Sequence, residues 1–316
     1  MINIFRNIIN INIKKFYSVV SIGNFDGLHK GHQSIFNYIN NISQDLNLVP
    51  IIITLYPHPK LYFDKKNIEH KKILNMRDKL IGISNYGVKK LLLSKFDKKL
   101  SGLTPIIFIK EFLCYLNVKY ILIGNDFRFG YKRLGNIQTL KMASKKLNFF
   151  VNIIPNIFDC LNKRISSSEI RHALSIGDVS RANHLIGNPY SISGHIVHGK
   201  KVGRIIGYPT INIKLFNNCV VKRGSYMVIV NDLENKNLQA VANIGKKPTV
   251  KSKFELIIDI YLLHFNYNVI NYGKIINIQF LHYIRKEQKF SNLESLIFAI
   301  SKDVRKAKLY FSINEL

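Results

Sequence analysis

The spacing of apolar runs constrains this chain more than any single motif, because that spacing changes once, near residue 187. Before that point, runs at 17–22, 49–55, 88–93, 118–123 and 149–154 are β-branched and apolar without alternation. Runs of this kind suit strands covered on both faces. Helix-length segments at 33–46, 76–86, 105–116 and 137–147 separate them, with Pro105 placed where a first helical turn tolerates it. Strand alternating with helix predicts a doubly wound parallel α/β sheet, with ligands at the carboxyl ends of the strands.

After Pro189 the runs shorten and crowd together, at 191–197, 210–215, 225–230, 239–244, 256–263 and 274–283, with Gly, Pro and Asn turns between them. Six such strands predict a small closed antiparallel β-barrel. A terminal helix should follow, opened by a capping box of Ser291 and Glu294. Its stripe of Leu293, Leu296, Ile297, Ile300 and Val304 is expected to dock on the barrel as a core face. The expected domains are therefore 1–186 and 187–316.

Composition excludes some classes and leaves others open. At 316 residues and 47% hydrophobic the chain can bury two cores, which rules out disorder and fibrous repeats. The net charge of +28 invites a nucleic-acid reading. However, Lys, Ile and Asn together fill 119 of 316 positions, Arg only 11, and the lysines are spread over both halves. These three residues share A- and T-rich codons, so solvated lysine faces explain most of the charge and no nucleic-acid partner is expected. Cys114, Cys160 and Cys219 form no C-x-x-C pair, which speaks against a disulfide framework or a zinc site. No signal-peptide pattern and no apolar run near ~20 residues is present, so a soluble cytoplasmic protein is expected, as a monomer or weak homo-oligomer.

The sharpest local signal is Ser21-Ile22-Gly23-Asn24-Phe25-Asp26-Gly27-Leu28-His29-Lys30-Gly31-His32, which leaves the first strand and opens a helix. Backbone amides and the positive end of the helix dipole then face the sheet's ligand edge. His29 and His32, three apart, share the first helical turn and can both donate to phosphate oxygens. A single histidine there would be a structural residue; two flanking a glycine after a strand point to phosphate chemistry.

This H-x-G-H segment resembles the nucleotidyltransferase superfamily. In the form G-x-F-D-G-x-H-x-G-H it is similar to the bacterial bifunctional riboflavin kinase/FMN adenylyltransferases, the FAD synthetases. Tyr56-Pro57-His58-Pro59, Gly124-Asn125-Asp126-Phe127-Arg128-Phe129-Gly130 and Arg164-Ile165-Ser166-Ser167-Ser168-Glu169-Ile170-Arg171 agree in order and spacing. The resemblance implies catalytic roles on the ATP phosphates for His29 and His32, and ATP contacts from Gly23, Asn24, Phe25, Asp26 and Gly31. It also implies triphosphate contacts from Arg164, Ser167, Ser168 and Arg171, and a flavin site around Asp126, Phe127 and Arg128. The family usually has Thr where Ser168 stands, and the hydroxyl survives. Phe127 and Phe129 could equally be core residues.

The second half carries Gly194 to Asn212, with glycines at 194, 199, 203 and 207 and the tetrad Pro209-Thr210-Ile211-Asn212. Thr210 and Asn212 fall on one strand face and offer the hard oxygen ligands that Mg²⁺ takes beside nucleotide phosphates. This string resembles the riboflavin kinase signature. The resemblance implies ATP and flavin contacts from Gly199, Lys200, Gly203, Arg204, Gly207, Pro209, Arg285 and Glu287, with metal ligation by Thr210 and Asn212. It implies riboflavin, FMN and ATP as substrates and FMN and FAD as products.

One position departs from that family. Riboflavin kinases carry a Glu base in a pattern like L-E-x-H-L-L-D-F, and here the stretch reads Ile258-Asp259-Ile260-Tyr261-Leu262-Leu263-His264-Phe265. Aligning Leu262 and Leu263 places Asp259 at the Glu position. Glu255 lies on the same strand face but about 13 Å away at ~3.3 Å per residue, so the base is assigned to Asp259. Two other readings stay open: adenylylation of a different phosphorylated substrate by the first half, and a basic RNA-binding surface on an enzyme whose kinase half has decayed.

Overall fold

The protein is described by a computed structural model covering residues 2–11, 16–63, 71–199, 201–216, 218–233, 236–248, 254–267 and 272–314. The chain forms two compact units, Met1–His70 with Lys79–Ser166, and Lys71–Asp78 with Ser167–Leu316.

The first unit is a six-stranded sheet built from β1 (Asn3–Phe5), β2 (Ser18–Ile22), β3 (Val49–Tyr56), β4 (Lys90–Lys95), β5 (Val118–Gly124) and β6 (Phe150–Ile154). The strand order is β1-β4-β3-β2-β5-β6 and every pairing is parallel. Helices α1 (Lys30–Asp45), α2 (Pro59–Phe63), α3 (Met76–Asn85), α4 (Lys98–Gly102), α5 (Pro105–Phe108) and α6 (Ile137–Leu147) connect the strands. The first turn of α3 counts with the second unit. Ile51, Ile52 and Ile53 are all 0% exposed, which is why β3 shows no alternation: both of its faces are covered. Truncating one of them, Ile52 to Ala for instance, should cost about 2–5 kcal/mol.

Sequence and structure differ in several places here, beginning with the short helices α2 and α4, which fall outside the expected helical segments. Strand β1, at the sheet edge beside β4, is only three residues long and carries no pattern. The segment expected as one helix at 105–116 starts as α5, capped by the Thr104 side chain on Ile107 N, and continues as a π-helical stretch over Ile109–Cys114.

The second unit holds a closed barrel of β7 (Tyr190–Val197), β8 (Ile211–Lys214), β9 (Gly224–Leu233), β10 (Lys236–Pro248), β11 (Phe254–Leu262) and β12 (Ile275–Lys286). Its order is β10-β11-β8-β7-β12-β9. Helices α7 (Ser167–Ile176), α8 (Val179–Ile186), α9 (Val202–Ile205) and α10 (Leu293–Ile313) belong to the same unit. The short segment Lys71–Asp78 is held there too. Tyr190 Oη donates to Ile73 O at 2.7 Å, and Asp78 accepts from Ser193 N at 2.9 Å and Asn75 Nδ2 at 2.8 Å. Burial raises the Asp78 carboxyl pKa, and those hydrogen bonds oppose the rise.

Alternation sorts the barrel residues cleanly. Ile244, Ile258 and Ile213 are partners across β10, β11 and β8, and each is 0% exposed inside the barrel. Their neighbours along each strand point outward. Helix α10 packs on that outer wall, with Val304, Ala307 and Phe311 against Met227 and Val241. The docking stripe therefore runs later along the helix than expected. Leu293 is 54% exposed and Ile297 36%, because the helix continues to Ile313 and its buried face follows Ile300, Val304, Ala307 and Phe311. The cap shifts as well: Asn292, not Ser291, accepts from Ser295 N, at 2.9 Å. Among the described residues no helix is long and apolar enough to cross a membrane.

Candidate active sites

In the first unit the chain runs from β2 outward through β3 and β4, then returns to lay β5 and β6 on the other side. The switch in direction falls between β2 and β5, which pair directly from Ser18↔Val118 to Ser21↔Leu122. A parallel sheet opens a ligand crevice at such a point, beyond the carboxyl ends of the strands. The two segments that leave there are the Gly23–His32 and Gly124–Gly130 motifs.

His29 is the N-cap residue of α1, and its ring stacks on His32 at 3.7 Å between centroids and 21° between planes. The pair thus sits at the positive end of a 16-residue helix. Two imidazoles stacked at a helix N-terminus present their ring nitrogens together, an arrangement suited to meeting phosphate. The ring of Phe25, 2% exposed, stands edge-on to His32 at 5.3 Å and tilts on Phe36 at 5.1 Å. It forms a floor for the histidines, which leaves its backbone as the part able to meet a ligand. The loop backbone is strained: Phe25 and Leu28 have φ of 45° and 44°, beside Gly27 at 89°. Non-glycine residues held there cost about 1–3 kcal/mol each and persist only under strong external restraint. Asp26 is 5% exposed, and Gly23 N donates to Ile53 O at 3.0 Å. The side-chain Oδ1 of Asn24 is buried with no hydrogen-bond partner, an acceptor left for a ligand's donor.

Arg164 and Asp126, assigned from separate motifs, are brought together: the guanidinium Nη2 lies 2.9 Å from Asp126 Oδ2. Phe129 is buried in the core at 6% exposure, Phe127 stacks on it at 5.5 Å, and Arg128 is exposed. Ser167, Ser168 and Arg171 open α7 and count with the second unit, where Arg171 Nε donates to Lys71 O at 2.9 Å. The sequence reading missed Lys79. It is 6% exposed, and its Nζ donates to the Asn24 carbonyl at 2.7 Å.

The second site is a matter of register. Asn212 pairs with Asp259, Asp259 with Asn243, Asn243 with Ser225 and Ser225 with Arg285, across β8, β11, β10, β9 and β12. Residues that pair in this way share a face, here the outer one. Register shifts on β12, after Phe280 and after Tyr283, bring Arg285 into the row. The row lines a cavity of about 370 Å³ that also includes Thr210, Tyr261 and, from α10, Leu296, Ile300 and Asp303. The terminal helix is therefore a wall of the site as well as a core face.

Asn212 is 8% exposed, and its amide fills the space where a β-carbon on Gly199 would lie, so the glycine loop and the Thr210/Asn212 strand close on each other only because residue 199 has no side chain. Among the described residues the lining takes in Lys201 and Gly203 and leaves out Arg204, Gly207 and Pro209. Lys200 lies outside the described residues. Glu287 lines the cavity and accepts from Arg223 Nη1 at 3.1 Å and Lys246 N at 3.3 Å. Glu255 is occupied elsewhere, in an ion pair with Lys214, whereas Asp259 faces the cavity. Burial and then neighbouring Tyr208 raise the Tyr261 pKa, so this lining phenol stays protonated and able to donate.

Arg285 is gripped from α10. Its Nε meets both Asp303 carboxylate oxygens at 3.0 Å, Nη2 meets Oδ2 at 2.8 Å, and Asp303 is 3% exposed. A buried carboxylate of this kind is stable only with a cation in fixed geometry. Among the described residues no group of three His, Cys, Asp or Glu could hold a metal by itself. Thr210 and Asn212 give oxygen donors only, which fits a Mg²⁺ ion held by few protein ligands plus phosphates.

Comparison with known proteins agrees with both halves. The FAD synthetase family model matches residues 13–169 and the riboflavin kinase model residues 186–311. Proteins called bifunctional riboflavin kinase/FMN adenylyltransferase match nearly end to end. The one from Haemophilus influenzae is 37% identical over 93% of this chain and 94% of its own length. The one from Buchnera aphidicola of Acyrthosiphon pisum is 40% identical over 99% of each, and that of Escherichia coli K12 is 33% identical over 94% of each. A crystal structure from Streptococcus pneumoniae, named a macrolide-efflux protein, has TM-score 0.83 and 30% identity over 97% of this chain and 98% of that one. The efflux name belongs to that protein; the two family models and the curated relatives name flavin chemistry. With both models matched in order along one chain, and relatives of that double name matched over nearly their whole length, this chain belongs to the bifunctional riboflavin kinase/FMN adenylyltransferase family.

Proposed function

We propose that the chain makes FAD from riboflavin in two ATP-dependent steps. Residues 187–316 phosphorylate riboflavin to FMN, and residues 1–186 adenylylate FMN to FAD with release of pyrophosphate. The observation that carries this reading is the presence of two separate phosphate-type loops in one chain, each beside its own polar site.

In the kinase step the terminal ribityl hydroxyl attacks the γ-phosphorus of ATP and ADP leaves. Asp259 takes the hydroxyl proton, since its carboxylate faces the cavity beside Asn212 while Glu255 is paired away from it. The backbone of Gly199 and Gly203 and the Lys201 side chain hold the nucleotide phosphates. Thr210 and Asn212 would hold Mg²⁺, which neutralises phosphate charge when bound. Arg285, fixed by Asp303, orients the substrates.

In the adenylyl step the FMN phosphate attacks the α-phosphorus of ATP in line, so no covalent enzyme nucleophile is needed. His29 and His32 donate to the phosphate oxygens as charge builds, with the α1 dipole behind them. Arg164 and Asp126, already paired, bring the triphosphate and flavin ends of the site together. Cys114, Cys160 and Cys219 are all free thiols, in keeping with a cytoplasmic enzyme.

Incubating the purified chain with riboflavin, ATP and Mg²⁺, and resolving FMN from FAD over time, tests both steps. FMN should rise first and FAD follow. FAD from FMN but none from riboflavin would remove the kinase half of the proposal; neither product would sink it entirely.

A further inference from the structure

We propose that helix α3 is the clamp that sets the shape of the phosphate loop, with Lys79 as a positioning residue for adenylyl transfer. The inference rests on reading the Gly23–His32 loop as the adenylyl site. That loop holds a conformation its own residues disfavour. Phe25 and Leu28 both hold positive φ, a conformation that an unrestrained chain of L residues leaves. Something outside the loop must hold them there.

Two independent contacts come from one face of α3. Lys79 donates from Nζ to the Asn24 carbonyl at 2.7 Å. One turn later, Gly82 presents bare backbone to Leu28, and a β-carbon there would collide with Leu28 Cδ1. Residues three apart on a helix share a face, so the ammonium and the gap act on the two ends of the strained stretch together. Ile83, 0% exposed, anchors the same face in the core.

A lysine at 6% exposure is a costly choice for a core-facing helix position. A leucine would bury more cheaply, and the chain has lysines to spare at its surface. What the ammonium supplies is orientation and charge. The peptide between Asn24 and Phe25 is planar, so fixing the Asn24 carbonyl toward Lys79 turns the Phe25 N–H to the opposite side. A carbonyl oxygen is thereby kept from facing an incoming triphosphate, and an N–H donor is presented in its place. The Thr54 hydroxyl, 3.5 Å from the same carbonyl, is too distant to impose that orientation alone.

The test uses the full chain and two activities measured on each preparation, FMN adenylylation and riboflavin phosphorylation. Lys79→Met should lower adenylylation kcat/KM for ATP on the order of 10²-fold, the size expected for a lost preorganised donor, with riboflavin phosphorylation within twofold of the parent. The KM for FMN should stay within threefold, since the flavin phosphate is not what the loop orients. Lys79→Arg should recover part of the loss. Gly82→Ala, a change that ordinarily favours a helix, should instead lower adenylylation a few-fold by displacing the buried tip of Leu28 from α3. Should Lys79→Met not fold, Gly82→Ala decides by the same criterion. Parental adenylylation in either folded variant, or equal increases in both KM values, overturns the clamp. His29→Ala in the same series separates the two claims: if it too leaves adenylylation untouched, the site reading fails and not the clamp alone.

Discussion

The two units build their candidate sites by opposite means. In the parallel sheet, topology fixes the place and one contiguous stretch fills it: ten residues from Gly23 to His32 carry the loop, both histidines and the helix start. In the barrel no stretch suffices. Asn212, Ser225, Asn243, Asp259, Arg285 and Asp303 come from five strands and a helix, and only hydrogen-bonded register and a shifted β12 align them. A contiguous site needs its one loop held in shape, here from α3, whereas a register-built site depends on every strand keeping step. Substitutions in the first should act through one loop, and in the second those that shift a strand's register should disturb the whole row.

The largest expected effect tests the register-built side at its reacting atom. Asp259→Asn should lower riboflavin phosphorylation by about 10²–10⁴-fold, the usual share of a general base, with FMN adenylylation unchanged in the same sample. Asp259→Glu should retain or raise the kinase rate, and a dead Glu variant would place the base elsewhere. On the contiguous side, His32→Ala should cut FAD formation from FMN by roughly 10²–10³-fold while FMN formation continues, measured by separating the flavins. A loss of both activities would show that the sites are not independent. Asp303→Asn is a smaller probe of how far the barrel site reaches: kinase kcat/KM should fall on the order of tenfold, with a melting temperature lowered by a few degrees as Arg285 loses its charged partner. The smallest effect is expected at Glu255→Gln, whose exposed pair with Lys214 is worth under about 1 kcal/mol. Both turnover rates should stay within twofold, and a larger kinase loss would reinstate Glu255 as the base.

The same contrast explains what could be read in advance. Buried parallel strands advertise themselves as β-branched runs, so β2 to β6 and the longer helices α1, α3 and α6 are legible in the sequence, as are the barrel strands between their turns, whereas the five-residue helices α2 and α4 are too short to carry a period. Edge strand β1 is not legible, since three residues against one neighbour need no pattern. The Gly23–His32 loop was visible because its chemistry is consecutive. Lys79 was hidden among the lysines of a lysine-rich chain, and only burial distinguishes it. Asp303 was hidden for a related reason: on a helix read as one apolar stripe, an acidic residue passes for solvent-facing until the partner that neutralises it is seen. The Asn292 cap, one residue from Ser291, shows the ordinary ambiguity when two good capping residues stand side by side.

The alternation along β11 has a consequence for how such an enzyme can change. Ile258 and Ile260 hold the barrel together from inside, while Asp259 and Tyr261 face the cavity. Stability and turnover are thus written on alternate letters of a single strand. An inward exchange among β-branched residues, Ile258 to Val for instance, costs about 0.5–1.5 kcal/mol of stability and leaves the cavity lining as it is. An outward exchange of one carboxylate for another, Asp259 to Glu for instance, alters the cavity lining and leaves the barrel core untouched.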